Sequence, residues 1–132
     1  MSAENVEVAR RVLGAVAAMD LERLRELTAP DVEWRSFFAA MSGAGEYRGH
    51  EGLAAYVEDL GESWDLIRPE PDDMLAVGEV VLAVGRIHYR GKESGAEEEV
   101  PAGWLFNLRE GKVTSFNAFK DPEKTLAGLG GE

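Results

Sequence analysis

The stretch EEEVPAGWLFNLREGKVTSFNAFKD, residues 97 to 121, decides the fold. Two runs rich in β-branched and aromatic residues flank REGK, a four-residue group with the chemistry of a tight hairpin turn. The upstream run EVVLAVGRIHYRG, residues 79 to 91, has the same character, and the polar, glycine-bearing GKESGA joins it to the first of the two. Three β-rich runs with short links are expected to lie as antiparallel neighbours.

The helices come before these strands. ENVEVARRVLGAVAAM, residues 4 to 19, sets Val8, Val12, Ala15, Val16 and Met19 at three- and four-residue spacing, which predicts an amphipathic helix. Asp20 is placed to cap a second, short helix, LERLREL, which Pro30 stops. From Val32 the period changes to two, with Val32, Trp34, Ser36 and Phe38 on one side of a short strand. The glycine-rich AAMSGAGEYRG, residues 39 to 49, reads as a loop, and a third helix is expected from His50 to Trp64 with Leu53, Tyr56, Val57, Leu60 and Trp64 on one face. RPEPDDM, residues 68 to 74, carries two prolines and is expected to break the chain. In the tail, Asp121 and Pro122 are expected to cap and open a last helix.

Composition bounds the function. One domain spanning residues 1 to 132 is expected, long enough to bury a core without disulfides or a structural metal. Cysteine is absent, which removes thiol catalysis and thiolate metal sites. No apolar run approaches the ~20 residues of a membrane span. The N-terminal residues lack the pattern of a secretory signal, so a cytoplasmic protein is expected. A formal charge of -11 repels phosphate backbones and argues against nucleic acid as a partner. His50 and His88 stand far apart and without metal-binding spacing, so no metal and no other cofactor is expected. The GAG of residues 43 to 45 lacks the strand, helix and lysine context of a phosphate loop.

Four segments in order, MDLERLRELTAPDVEWRS, YRGHEGLAAYVEDLGESWD, SGAEEEVPAGWLFNLREGKV and FKDPEKTLAGLG, resemble the SnoaL-like branch of the nuclear transport factor 2 superfamily. The resemblance implies an α+β cone: a strongly bent antiparallel sheet wrapped around helices and a hydrophobic cavity, usually paired as a homodimer through the outer sheet face. Ile87, Tyr89 and Leu105 are the apolar candidates for that face. The resemblance does not imply one reaction. Ketosteroid isomerases of the superfamily place a carboxylate base where this chain has Trp34, a tyrosine where it has Val12, and a second acid near residues 101 to 103, which are Pro-Ala-Gly. The isomerase set is therefore missing, and the Asp-Arg-Asp arrangement of limonene-type epoxide hydrolases finds no match by order and spacing.

Two readings of function follow. In the first, the chain binds a small apolar or aromatic ligand without catalysing a reaction, using Trp34, Phe38, Tyr56, Met74, Trp104, Asn117 and Phe119 as cavity lining. Asn117 would supply a polar tip, sharing an alternation face with Ser115 and Phe119. In the alternative, the chain is a cofactor-independent polyketide cyclase, isomerase or dehydratase acting on an apolar ring compound. Acid-base work would then fall to Asp121, which stands where SnoaL-like cyclases carry an acid, or to His88 if it faces the cavity. The arginines at alternate positions beside His88 favour a solvated face for it, and both aromatic and polar residues could equally be ordinary core and surface.

Overall fold

A computed structural model describes residues 2–38 and 45–122. The elements run α1 (Ser2–Ala18), α2 (Leu21–Leu27), β1 (Thr28–Ser36), β2 (Glu46–Arg48), α3 (Gly49–Ser63), β3 (Trp64–Val77), β4 (Val80–Gly91), β5 (Glu97–Arg109) and β6 (Lys112–Lys120). The six strands form one bent, open, mixed sheet in the order β2-β1-β6-β5-β4-β3. β1 runs parallel to β6, and every other pairing is antiparallel.

Each helix forms for the reason its spacing suggests. In α1, Val12, Ala15 and Val16 are buried while Val8 and Met19 are half-buried against the same core. The Asp20 side chain accepts the Arg23 N–H at 3.1 Å and so caps α2, whose Leu24 is fully buried. The Thr28 hydroxyl donates to Leu24 O at 2.7 Å, and the His50 ring nitrogen Nε2 lies 3.2 Å from that hydroxyl. This ties the start of α3 to the end of α2. The turn between β5 and β6 has Glu110 and Gly111 both at positive φ, 51° and 79°, the geometry of a tight two-residue hairpin.

Two segments differ from their sequence reading. RPEPDDM does not break the chain: it runs through the middle of β3, with Pro69 opposite Ile87 and Pro71 opposite Gly85. β3 is an edge strand, where a missing N–H costs no ladder bond on the open side, and the register shifts between Pro71 and Asp73. The end of the glycine-rich loop forms β2, which pairs with β1 from Arg35 to Glu33. Residues 39–44 of that loop, and the helix expected after Pro122, lie outside the described residues.

The faces of the sheet are sharply different. Val81, Ala83 and Ile87 of β4, Trp104 and Phe106 of β5, Phe116 and Ala118 of β6, and Val32 and Trp34 of β1 point toward the helices and are buried. Ile87 and Tyr89 were expected on the outer face and are not there. Ile87 is buried, and the Tyr89 ring packs on Trp64 at 4.7 Å. Strand alternation puts Arg86, His88 and Arg90 outside, where their charges stay hydrated, and this forces the odd-numbered residues inward. The outer face divides in two. At one end Arg86 meets Asp72 at 3.3 Å and Glu99 at 3.4 Å, while Arg68 meets Glu70 at 2.9 Å. At the other end Leu75, Val77 and Val80 are 62%, 67% and 37% exposed, beside Leu82 and Leu105.

Candidate functional site

The inner face of β1 alternates Val32, Trp34 and Ser36, and Phe38 follows just past its end; all four are buried. Trp34 stacks on Phe116 of β6 at 4.0 Å between ring centres and meets Tyr56 of α3 at 5.2 Å. Tyr56 in turn meets Tyr47 of β2 at 5.6 Å. An aromatic column therefore crosses the interior from the sheet to α3. Its polar atoms are few. The Tyr56 hydroxyl sits between the Trp34 indole and the Ser36 hydroxyl, and burial pushes its pKa up, so it stays protonated. The Trp34 Nε1–H lies by the Tyr56 hydroxyl, a contact that works against the upward shift of its pKa, but it falls short of full hydrogen-bond geometry and is the buried side-chain polar atom among the described residues without a well-formed bond.

A second polar pair lies at the rim. The Tyr47 hydroxyl donates to Asp59 Oδ2 at 2.5 Å, joining β2 to α3. Burial first, then the bond to Asp59, pushes the Tyr47 pKa from 10.0 up to about 12. A raised tyrosine pKa favours the neutral folded form. That contribution to stability is complete below about pH 10 and fades as the pH climbs through about 12. Thermal melts across this alkaline range should therefore fall less steeply for Tyr47→Phe than for the native chain, with Tyr56 and Tyr89, whose pKa values burial also raises, contributing to the decline that remains.

The expected site residues divide between the two faces. Trp34, Phe38, Tyr56 and Trp104 all lie inside, each with 3% or less of its surface exposed, and Met74 is half-buried against the same core. Asn117 and Phe119 do not face the interior. They share the outer face with Ser115, because Phe116 and Ala118 turn inward against Phe106 and Trp104. The Phe119 ring covers Gly103, where a Cβ would come within 2.7 Å of it. His88 also lies on the outer face, 2.8 Å from Glu97, whose carboxyl is held below its usual pKa chiefly by that bond. Asp121 is exposed at the end of β6 with φ 54°, and its N–H bonds Pro101 O at 3.3 Å. Neither His88 nor Asp121 reaches the Trp34–Tyr56 group. Among the described residues, no three His, Asp or Glu side chains converge as a metal would need.

Ser36, Tyr47 and Asp59 went unremarked as site residues in the sequence. Ser36 had a signal, being the polar member of an otherwise apolar alternation. Tyr47 and Asp59 had none, since their contact depends on β2, which reads as loop.

The same architecture recurs in solved structures. An NTF2-like protein from Burkholderia xenovorans LB400 is 31% identical, with 92% of each chain covered and a TM-score of 0.74. An NTF2-like protein of unknown function from Burkholderia pseudomallei K96243 is 20% identical over 93% of this chain and 95% of the other, with a TM-score of 0.80. TerC, co-crystallized with polyporic acid, is 20% identical over 93% of this chain and 95% of its own, with a TM-score of 0.78. No curated protein matches the chain. The SnoaL-like domain family matches residues 9–116, across both the helices and the sheet that enclose the Trp34–Tyr56 group, and the chain belongs to that family.

Proposed function

We propose that this SnoaL-like chain binds a small apolar or aromatic molecule in its interior and lacks the ketosteroid isomerase catalytic set. The observation that carries the reading is the Trp34 indole N–H, buried among aromatic rings beside the Tyr56 hydroxyl and without a well-formed hydrogen bond. A buried donor left unpaired costs about 1–3 kcal/mol, and a bound molecule is one way to recover it. The polyporic acid in the crystals of TerC lends support at the level of the fold. The cyclase, isomerase or dehydratase alternative comes second, because Asp121 is exposed and His88 is engaged with Glu97 on the opposite face of the sheet.

Trp34 emission should change on titration with flat aromatic compounds, and Trp34→Phe should remove most of that change. Native mass spectrometry of the protein as purified should find a retained small molecule. An unchanged emission across aromatic polyketides, steroids and terpenoids would overturn the reading.

We also propose a homodimer through the outer sheet face, with Leu75, Val77, Val80, Leu82 and Leu105 at its centre. A contiguous apolar area of this kind on a sheet is the sort of surface a second copy covers. Equilibrium sedimentation at micromolar concentration should report twice the 14.4 kDa chain mass. Leu105→Glu should shift the protein to the single-chain species.

A further inference from the structure

Cross-strand register lines up four outer-face residues in a single row. Leu75 of β3 pairs with Leu82 of β4, Leu82 with Leu105 of β5, and Leu105 with Asn117 of β6. The row crosses four strands and is apolar except at Asn117. It ends on β1 at Arg35, whose charge is met by Glu46 at 3.9 Å. The flanking rows are uncharged on β4, β5 and β6: Val80, Asn107 and Ser115 on one side, Val84, Gly103 and Phe119 on the other. Farther out, Arg86 holds Asp72 and Glu99, and Arg48 holds Glu33. What the middle of this face leaves unmet is therefore apolar surface and one amide. Asn107 donates from Nδ2 to the Ser115 hydroxyl at 3.5 Å, but the half-buried Asn117 side chain makes no hydrogen bond among the described residues. A depression of about 280 Å³ beside it, bordered by Arg35, Phe37 and Phe119, leaves room for an incoming side chain.

A second copy of the chain meets both needs. An amide carries a donor and an acceptor, so two copies of one amide satisfy each other, which two like charges cannot do. When two sheets pack face to face about a two-fold axis lying along this row, every member meets its own copy, leucine on leucine and amide on amide. An axis displaced from the row sets the amide against a different residue and removes its matching partner, which disfavours that arrangement. One polar residue in an apolar seam fixes register in this way in coiled coils, at some cost in affinity.

We infer that Asn117 sets the register of the homodimer: its amide pairs with the partner's Asn117 on a two-fold axis along the Leu75–Leu82–Leu105–Asn117 row. This rests on the homodimer reading above and adds to it one residue and one axis.

Charge at residue 117 tests the self-contact. Asn117→Asp and Asn117→Lys each set like charges face to face, so in equilibrium sedimentation each should dimerise about ten-fold more weakly than the native chain, or weaker still. Mixed in equal amounts, with one of the two isotopically labelled for native mass spectrometry, they should form mainly mixed dimers, about ten-fold tighter than either variant alone. Thermal melts check that each variant folds, and Asn117→Arg replaces Asn117→Lys if the lysine variant does not. Two variants that dimerise as tightly as the native chain overturn the assignment, because residue 117 then lies outside the contact. Two weakened variants whose mixture is no tighter overturn it as well, because residue 117 then faces something other than its own copy. In both cases the homodimer stands. A native chain that sediments at the single-chain mass of 14.4 kDa overturns the homodimer reading itself, and the register assignment falls with it.

Discussion

Replacing Trp104 with alanine should lower the stability of the chain by about 3–5 kcal/mol. Trp104 sits on β5 with 1% of its surface exposed. Its neighbours across the two adjacent strands are Ala83 and Ala118, so the indole spreads over side chains too small to move into the space it leaves. The cost is therefore at the high end for an aromatic truncation, since a cavity that cannot collapse retains its full penalty. For a domain of this size the melting temperature should fall by on the order of 10–20 °C. Urea unfolding of the variant measures the difference directly. A loss below about 1 kcal/mol would mean that Trp104 lines open space and is not part of the packed interior.

Most of the architecture was readable because it depends on local periodicity. α1 and α3 follow from three- and four-residue spacing, and the hairpin follows from its short polar link and from Gly111, which takes a positive φ without a Cβ penalty, although Glu110 beside it also adopts one. The central strands follow from β-rich runs. What periodicity does not supply is the side of a strand that faces the helices. Alternation groups Ser115, Asn117 and Phe119 together, and it groups Ile87 with Tyr89, but each set could lie on either face. For β4 the charges could have decided it: Arg86, His88 and Arg90 require water, so Ile87 and Tyr89 must be inside. For β6 the deciding feature is not local. Trp34 on a strand about eighty residues earlier in the chain takes the inward position opposite Phe116, and Gly103 on β5 leaves outer-face space for the Phe119 ring. The interior members of the site, Trp34 and Tyr56, were legible from spacing alone. The unmet indole N–H was not, because it depends on the three-dimensional arrangement around one atom.

Gly85→Ala should cost about 3 kcal/mol, the upper part of the range for a forced steric insertion. Gly85 lies on β4 opposite Pro71, at the point where β3 shifts register. A Cβ there would fall 2.2 Å from the Glu70 carbonyl oxygen, 2.7 Å from the Asp72 nitrogen and 2.8 Å from the Pro71 Cα. All three are backbone atoms, so no side chain can swing aside. The edge strand must move as a unit or give up its pairing over this stretch. Gly14 provides the control. It is exposed in the middle of α1, and a Cβ added there meets nothing within 4 Å. Gly14→Ala should therefore stabilise the chain by about 0.5–1 kcal/mol through helix propensity alone. The contrast tests the least expected feature of the fold, a fourteen-residue strand that passes through two prolines. If Gly85→Ala melts at the native temperature, β3 does not press its bulge against β4, and residues 68 to 74 follow another path. If it melts far below while Gly14→Ala melts above, the missing side chain at Gly85 is what admits Pro71 and its neighbours to the sheet. Hydrogen exchange then adds a local readout: in Gly85→Ala, protection should fall first at the amides that pair β3 with β4 around this point, ahead of those that join β5 to β6.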